Sequence, residues 1–265
     1  MDNKPKQYVQ GWVEFYKLRF KVTPDVLIPR PETELLVDEV LRFVRDSSGP
    51  LAHRNDNDDV IVSGAKQSFT ILDLGTGSGN IAISIAKNIY LPTWSVGTRI
   101  IATDISPKAS KIAQQNAKLH QVEDRIIFFQ SNLLSAFRHS GGNLRPIESD
   151  PIVPISSELQ DNVHVDIIVT NLPYIPSARI PYLDSSVKDF EPHVALDGGE
   201  DGFELYRQLF QQIKEKGWKP KLILGEIDYT HGELAQEEAQ KYFPEAQVEV
   251  KTDLAHKQRI LRISF

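Results

Sequence analysis

Apolar runs alternate with amphipathic stretches along the chain from Phe69 onward. Stretches with helical periodicity separate several of these runs, which predicts an α/β fold with a mainly parallel, seven-stranded sheet wound on both faces. The two C-terminal runs have no helix between them, so we expect them to form an antiparallel hairpin. The predicted strands are Thr70–Leu74, Arg99–Thr103, Ile126–Gln130, Val165–Thr170, Lys221–Glu226, Gln247–Val250 and Arg259–Phe265. The predicted helices are Asn80 to Asn88, Ser106 to His120 and Gly202 to Lys216.

Two polar segments divide the chain. Residues 46–68 are rich in Asp, Asn, Ser and Gly and predict a solvated loop, and residues 139–163 predict a surface insertion. We therefore expect an N-terminal segment at 1–45 and a main domain at 69–265. Within the first segment, Thr33 is expected to cap a helix whose apolar face carries leucines and valines.

Composition excludes several kinds of chemistry. The chain has no cysteine, which rules out disulfides and thiolate ligands, and its histidines show no paired spacing, so no metal site is predicted. Its net charge of −6 disfavours non-specific binding to nucleic acid. No apolar run approaches the length of a membrane span, and the first ten residues resemble neither a secretory signal nor a transit peptide. We expect a monomer without a membrane or direct nucleic-acid partner.

A glycine-rich turn follows the first predicted strand and opens a helix, with the sequence DLGTGSG at 73–79. Such turns bring backbone N–H groups close to a ligand at the carboxyl ends of parallel strands. A dinucleotide would also fit, and so would a turn without a ligand. The G-x-G-x-G spacing with a preceding acid favours S-adenosylmethionine, whose ammonium an acidic residue can hold. The candidate cofactor residues here are Asp73, Gly75, Thr76, Gly77, Ser78 and Gly79.

Two further strand ends supply cofactor candidates. Asp104 ends the second strand and can accept both ribose hydroxyls, although it also suits the start of the helix at Ser106. Asn132 follows the third strand and is placed to reach the adenine edge, with Leu133 packing on the ring. A plain loop is an equally reasonable interpretation of this last pair.

The fourth strand ends in Asn171-Leu172-Pro173-Tyr174. Pro173 makes the loop extended and stiff. An amide nitrogen is a poor nucleophile, and methylation needs its N–H groups held by two acceptors. The Asn171 side-chain oxygen and the Leu172 carbonyl can provide these, and Tyr174 can pack over the flat group and exclude water. We therefore predict Asn171, Leu172, Pro173 and Tyr174 as catalytic, with Asn171 also beside the cofactor.

With these motifs in place, the chain resembles the HemK/PrmC-type peptide chain release factor glutamine N5-methyltransferases. The resemblance rests on LIPRPETE at 27–34, DLGTGSG at 73–79, NLPY at 171–174 and DFEPHVALDGGEDG at 189–202. It implies a Rossmann-like class I S-adenosylmethionine-dependent methyltransferase that methylates the glutamine of the Gly-Gly-Gln loop in a release factor. It also implies a cytoplasmic location, or the mitochondrial matrix if a presequence is missing.

The chain departs from the family pattern at three points. Leu172 replaces a proline, so a φ restraint is lost while the carbonyl survives. Asn132 replaces an acid near the adenine. The family also has a helical N-terminal domain, of which residues 1–45 would be a remnant or the linker. Alternatives remain: an amino-methyltransferase acting on adenine in nucleic acid, a non-catalytic binding subunit with this fold and, disfavoured by the glycine spacing, a nicotinamide-dependent oxidoreductase.

Overall fold

The computed structural model describes residues 3–47, 52–54, 60–62, 68–90, 98–137 and 164–265. The first part of the chain is a short helix followed by a β-hairpin. These elements are α1 (Lys6–Gln10), β1 (Trp12–Phe15) and β2 (Leu18–Lys21). The hairpin turns at Tyr16 and Lys17, whose φ angles of 51° and 59° suit a tight two-residue connection.

Strands and helices alternate through the rest of the chain. The remaining helices are α2 (Glu34–Ser47), α3 (Asn80–Asn88), α4 (Pro107–Leu119), α5 (Ser185–Lys188), α6 (Glu204–Glu215) and α7 (Gly232–Tyr242). The remaining strands are β3 (Ala52–Arg54), β4 (Val60–Val62), β5 (Thr70–Leu74), β6 (Ile89–Tyr90), β7 (Arg99–Asp104), β8 (Ile126–Gln130), β9 (Ile167–Thr170), β10 (Leu222–Glu226), β11 (Gln247–Thr252) and β12 (Gln258–Ser264). Within the described ranges, no helix has both the length and the apolar character needed to cross a membrane.

Seven strands form one sheet in the order β11-β12-β10-β9-β5-β7-β8. The strands from β10 to β8 run parallel, whereas β12 is antiparallel to both β10 and β11. The predicted α/β fold is therefore confirmed, together with its C-terminal antiparallel hairpin. The parallel strands end along one edge of the sheet, which is where open α/β sheets bind ligands.

Both faces of this sheet are buried. On β5, Ile71 packs into the cluster that contains α2 and α3, while its neighbour Leu72 packs into the cluster that contains α6 and α7. Strands covered on both sides read as continuous apolar runs, which is the pattern that the sequence shows. The N-terminal hairpin joins the first cluster through Phe15 and Phe20, which are 1% and 0% exposed.

Strand β9 begins at Ile167, two residues later than the sequence predicts. At the residue before it, the Asp166 N–H donates to the Thr70 carbonyl at 2.9 Å and the Asp166 carbonyl accepts the Lys221 N–H at 2.7 Å. The Asp166 carboxylate also accepts the Thr70 N–H at 2.9 Å and pairs with the Lys221 ammonium at 2.8 Å. Asp166 thus ties three neighbouring chain segments together where the parallel strands begin.

Two predictions for the N-terminal part are wrong. The Thr33 side chain does not cap α2: Thr33 ends a 3-10 turn at Pro31–Thr33, and its hydroxyl donates to Glu226 and accepts from Asn171. Residues 46–68 are not entirely loop, because β3 and β4 pair antiparallel and β4 pairs with β6. The predicted insertion at 139–163 lies outside the described residues.

Candidate active site at the carboxyl edge of the sheet

A cavity lies at the carboxyl ends of the parallel strands, between the glycine-rich turn and the loop after β9. Most of the predicted site residues line it. They are Gly75, Thr76, Gly77, Ser78, Asp104, Asn132, Leu133, Asn171, Leu172 and Pro173. The other three, Asp73, Gly79 and Tyr174, lie outside this lining. The fold therefore brings the predicted cofactor and acceptor residues to one space.

The glycine-rich turn follows β5 closely along the cavity. Gly75 has a φ of 70°, a value that side chains disfavour. A Cβ at Gly75 would lie 3.7 Å from Leu172 Cδ2. The turn therefore packs closely against the loop Asn171–Tyr174 after β9, which we call the acceptor loop. The Thr76 N–H donates to the Thr103 carbonyl at 2.8 Å, which fixes the turn against β7.

Gly79 has a packing role at the start of α3. Its φ is 83°, and a Cβ there would lie 2.8 Å from Ile83 Cδ1 and 3.1 Å from Ala113 Cβ. Ala113 belongs to α4, so the missing side chain lets α3 and α4 approach each other. A cofactor contact by Gly79 stays a prediction.

Asp73 is fully buried behind the turn. One carboxylate oxygen accepts from the Thr76 hydroxyl at 2.7 Å and from the Ala82 N–H at 3.1 Å. The other oxygen has no hydrogen-bond partner among the described residues. Burial raises the pKa of Asp73 to about 7, against the effect of these two hydrogen bonds. An orphaned buried acceptor here suits a cationic group in the adjoining cavity.

The raised pKa of Asp73 should make the free energy of unfolding depend on pH. In the unfolded chain Asp73 loses its proton at lower pH, so rising pH disfavours the folded state until the folded pKa of about 7 is passed. We expect the Asp73 contribution to the free energy of unfolding to fall by about 1.4 kcal/mol between pH 6 and pH 8. Denaturant unfolding of the wild type and Asp73→Asn at both pH values measures it. An equal pH dependence in both proteins contradicts the assignment.

Asp104 ends β7 and faces the cavity while remaining 8% exposed. Its two carboxylate oxygens accept from the Gly77 N–H and the Ser106 N–H, each at 2.8 Å. Burial raises the pKa of Asp104, and the backbone N–H groups of Ser106, Gly77 and Ile105 act in the opposite direction. The carboxylate thus links the glycine-rich turn to the start of α4 while it lines the cavity.

The loop after β8 places Asn132 and Leu133 on the cavity wall. Asn132 is exposed and Leu133 is buried, with a φ of 50°. The Ser131 hydroxyl donates to the Leu133 carbonyl at 2.6 Å and holds this unusual backbone. An apolar side chain and an amide side by side match the predicted adenine contacts, which remain predictions.

The acceptor loop rests on a buried carboxylate that sequence reasoning missed. Asn171 Nδ2 donates to Thr33 Oγ1 at 3.1 Å, and the Thr33 hydroxyl donates to Glu226 Oε2 at 2.6 Å. The Tyr174 hydroxyl donates to Glu226 Oε1 at 3.0 Å. Burial raises the pKa of Glu226. A charged residue inside the last parallel strand was the available signal, because such residues are rarely buried without partners.

Leu172 is held by contacts that a proline could not make in full. Its side chain is 4% exposed, and its backbone N–H hydrogen-bonds the Tyr206 hydroxyl, which in turn donates to the Glu226 carbonyl. Gly225 makes room for this tyrosine, since a Cβ there would lie 2.5 Å from Tyr206 Cε1. Tyr206 therefore restrains the loop where the family proline is absent.

Arg30 lines the cavity, although the sequence did not predict it as a site residue. Its guanidinium pairs with Glu191, whose side chain is 1% exposed and also accepts the Ile28 N–H at 3.3 Å. This pair joins the LIPRPETE segment at 27–34 to the DFEPHVALDGGEDG segment at 189–202 beside the cavity. The two motifs were recognised in the sequence, but the contact between Arg30 and Glu191 is evident only from the structure.

Comparisons with known proteins identify the family. A family model described as ribosomal protein L11 methyltransferase (PrmA) matches residues 59–172. Release factor glutamine methyltransferases from Bacillus cereus and Lactococcus lactis are 32% and 33% identical over 260 and 261 residues. These matches cover 97% and 98% of this chain, and 75% and 77% of those proteins. The chain belongs to the release factor glutamine methyltransferase family. Membership implies S-adenosylmethionine as the cofactor.

Coverage differs among members of this release factor glutamine methyltransferase family. A member from Moorella thermoacetica is 38% identical over 205 residues, which are 77% of this chain and 55% of that protein. The chain thus matches little more than half of that relative's length.

Solved structures agree on the fold of this family member. A ribosomal protein L11 methylase from Lactobacillus delbrueckii superposes with a TM-score of 0.51 at 17% identity, covering 92% of this chain and 83% of that one. The N-terminal domain of human METTL16 in complex with SAH gives 0.53 at 14% identity, covering 94% and 76%. At these identities the likeness establishes the methyltransferase fold.

Proposed function

We propose that this protein transfers a methyl group from S-adenosylmethionine to the side-chain amide nitrogen of a glutamine in the Gly-Gly-Gln loop of a release factor. The observation that carries the proposal is the shared cavity, in which Asn171 and the glycine-rich turn face one space. The names of the relatives supply the acceptor class. The cavity also suits the cofactor, because it is lined by the Asp104 carboxylate, and the buried Asp73 lies behind the turn with one oxygen that has no partner among the described residues.

On the cofactor side, we assign the binding roles as the sequence predicts them. Asp104 accepts the ribose hydroxyls, and Asp73 with the turn from Gly75 to Gly79 holds the amino-acid end. Asn132 meets the adenine edge, and Leu133 packs on the ring. When bound, S-adenosylmethionine would supply a methyl group on a positively charged sulfur. The sulfur is a good leaving group because it departs as a neutral thioether.

On the acceptor side, Asn171 Oδ1 and the Leu172 carbonyl accept the two N–H groups of the glutamine amide. Pro173 keeps the loop extended. The Tyr174 hydroxyl anchors the end of the loop by donating to Glu226. Held in this way, the nitrogen lone pair points at the methyl carbon. With S-adenosylmethionine bound, the nitrogen would take the methyl group as the sulfur leaves as a thioether, and it would then release one proton to solvent. No strong general base is needed.

The proposed division of the chain gives residues 1–45 a part in this site. Thr33 from the N-terminal segment contacts Asn171 from the methyltransferase domain, residues 69–265. We propose that this segment is the linker from, or a remnant of, a helical substrate-binding domain. In this arrangement the segment supports the acceptor loop directly.

Mass spectrometry tests the proposed acceptor. The protein is incubated with S-adenosylmethionine and a purified release factor, and the Gly-Gly-Gln peptide is then analysed. We expect one added methyl group on the glutamine side chain, and none when that glutamine is replaced by alanine. A parallel incubation with adenine-containing DNA and RNA provides the contrast. Methylation of nucleic acid with an unchanged release factor would overturn the proposal.

A further inference from the structure

Glu226 lies at the centre of the hydrogen bonds that hold the acceptor loop. It is 2% exposed at the end of β10. Its two carboxylate oxygens receive the hydroxyls of Thr33 and Tyr174, and its backbone carbonyl receives the hydroxyl of Tyr206. Through these three partners Glu226 reaches Asn171, Tyr174 and Leu172, although it does not line the cavity itself.

The order of donors along this chain fixes the orientation of Asn171. An ionised carboxylate can only accept, so the single hydroxyl proton of Thr33 is committed to Glu226. The Thr33 oxygen must then accept from its other neighbour, which is Asn171. Only the Nδ2 end of the Asn171 amide can donate, so this end faces Thr33. The oxygen end is consequently left for the cavity.

The position of the Asn171 side chain alone does not fix which end of its amide faces the cavity. The two ends of an asparagine amide have nearly the same shape, and only the hydrogen-bond network distinguishes them. With the Asn171 amide reversed, its N–H groups would face the N–H groups of the substrate glutamine, which need an oxygen to accept them. A glutamine side chain would then be held with its lone pair in the wrong direction.

The charged surroundings of Glu226 bear on its ionisation. Arg259 favours the charged form, and Glu32 opposes it. Arg259 is itself paired with Asp253 at 2.9 Å and lies 3.9 Å from Glu32. Burial raises the pKa of Glu226, so its proton returns at a higher pH than it would on an exposed glutamate.

We propose that Glu226, acting through Thr33, is a positioning residue that turns the Asn171 oxygen toward the acceptor nitrogen. This rests on the proposed function, because it assigns the acceptor a planar amide. Thr33 and Glu226 carry no atoms of the reaction. They set the direction of the Asn171 side chain, which contacts the glutamine amide in the proposed reaction.

Substitutions at Thr33 separate this role from packing. Thr33→Val keeps the shape and removes the hydroxyl, while Thr33→Ser keeps the hydroxyl and removes the methyl group. We expect Thr33→Val to lower kcat roughly ten- to hundredfold, a cost typical of a misdirected reacting group. Thr33→Ser should retain most of the wild-type kcat. The dissociation constant for S-adenosylmethionine, measured by calorimetry, should change little in both variants.

A pH profile adds a readout that a structural role would not move. In the wild type, kcat should fall on the acid side as Glu226 takes up its proton, because neutral Glu226 no longer requires the hydroxyl of Thr33 to point toward it. That limb should be absent from the residual activity of Thr33→Val. An acid limb of equal midpoint and depth in both proteins contradicts the proposal.

Nuclear magnetic resonance tests the orientation without any acceptor. The side-chain NH₂ signal of Asn171, assigned by its loss in Asn171→Ala, should exchange slowly with solvent in the wild type and in Thr33→Ser. In Thr33→Val it should exchange much faster. Equal exchange rates in all three proteins overturn the positioning role. If the wild type instead shows slow exchange but leaves the release factor unmethylated, the proposed acceptor fails while the orientation stands.

Discussion

Asn171→Ala is expected to lower the rate of methyl transfer by a factor of about 10²–10³, the size seen when one preorganised hydrogen-bonding group is removed from an active site. In the proposed mechanism the Asn171 amide oxygen accepts an N–H of the glutamine amide and so directs its nitrogen lone pair, and alanine has no group to replace it. Its partner Thr33 remains bonded to Glu226, so the buried carboxylate keeps a donor. The loop should therefore survive the substitution.

Single-turnover methylation of the release factor measures this loss, and calorimetry measures S-adenosylmethionine binding in parallel. Affinity for the cofactor should change by less than about fivefold, a smaller energy than one typical hydrogen bond. Asn88→Ala is a matched control, because Asn88 ends α3, its side chain donates to the Ser84 carbonyl, and it does not line the cavity. A loss of cofactor affinity as severe as that caused by Asp104→Ala would reverse the roles assigned to the two residues.

Asp104→Ala should weaken S-adenosylmethionine binding by about 100-fold or more, since hydrogen bonds to charged groups contribute about 1.5–3 kcal/mol each. Alanine removes the acceptor proposed for the ribose hydroxyls. It also leaves the N–H groups of Gly77 and Ser106 without their carboxylate. The glycine-rich turn would then lose one of its bonds to β7, while the Thr76 N–H would still donate to the Thr103 carbonyl. Asp124→Ala, an exposed aspartate in the turn after α4, is the control and should bind normally.

The same carboxylate predicts the direction of a pH effect on cofactor binding. Burial raises the pKa of Asp104, so lowering the pH protonates it earlier than an exposed aspartate. A protonated carboxyl has fewer acceptor sites for the ribose hydroxyls, and affinity should fall toward acid pH. Calorimetric titrations at several pH values check this. Affinity that is constant in the wild type down to the range of an ordinary aspartate contradicts the assignment.

The position of the candidate cofactor residues at one edge of the sheet was predictable because its signals are local. Apolar runs reveal the strands, and the glycine-rich turn and Asp104 come directly after two of them. Parallel strands end at one edge of the sheet, so topology alone brings these residues together. The helix at Asn80–Asn88 follows for the same reason, as its periodicity and its glycine start are contiguous.

The acceptor half could be predicted only in part. The NLPY motif marks the loop, but its support comes from Thr33 and Glu226, which are 193 positions apart. Thr33 precedes an acidic residue and an apolar helix, which is the usual pattern of a helix cap. A buried carboxylate took its hydroxyl instead. Likewise, nothing near Leu172 announces that Tyr206 takes over part of the restraint of a missing proline.

The distance along the chain between these supports has a consequence for synthesis. Translation proceeds from the N-terminus, so the residues proposed to hold the cofactor, from Asp73 to Leu133 together with Asn171, are all made well before Glu226. A nascent chain that stops short of β10 has Asn171 and Thr33 but no carboxylate to order their hydrogen bonds. The polypeptide thus acquires the means to hold a methyl donor before it acquires the means to aim an acceptor. Catalytic competence on this plan arrives only in a nearly finished molecule.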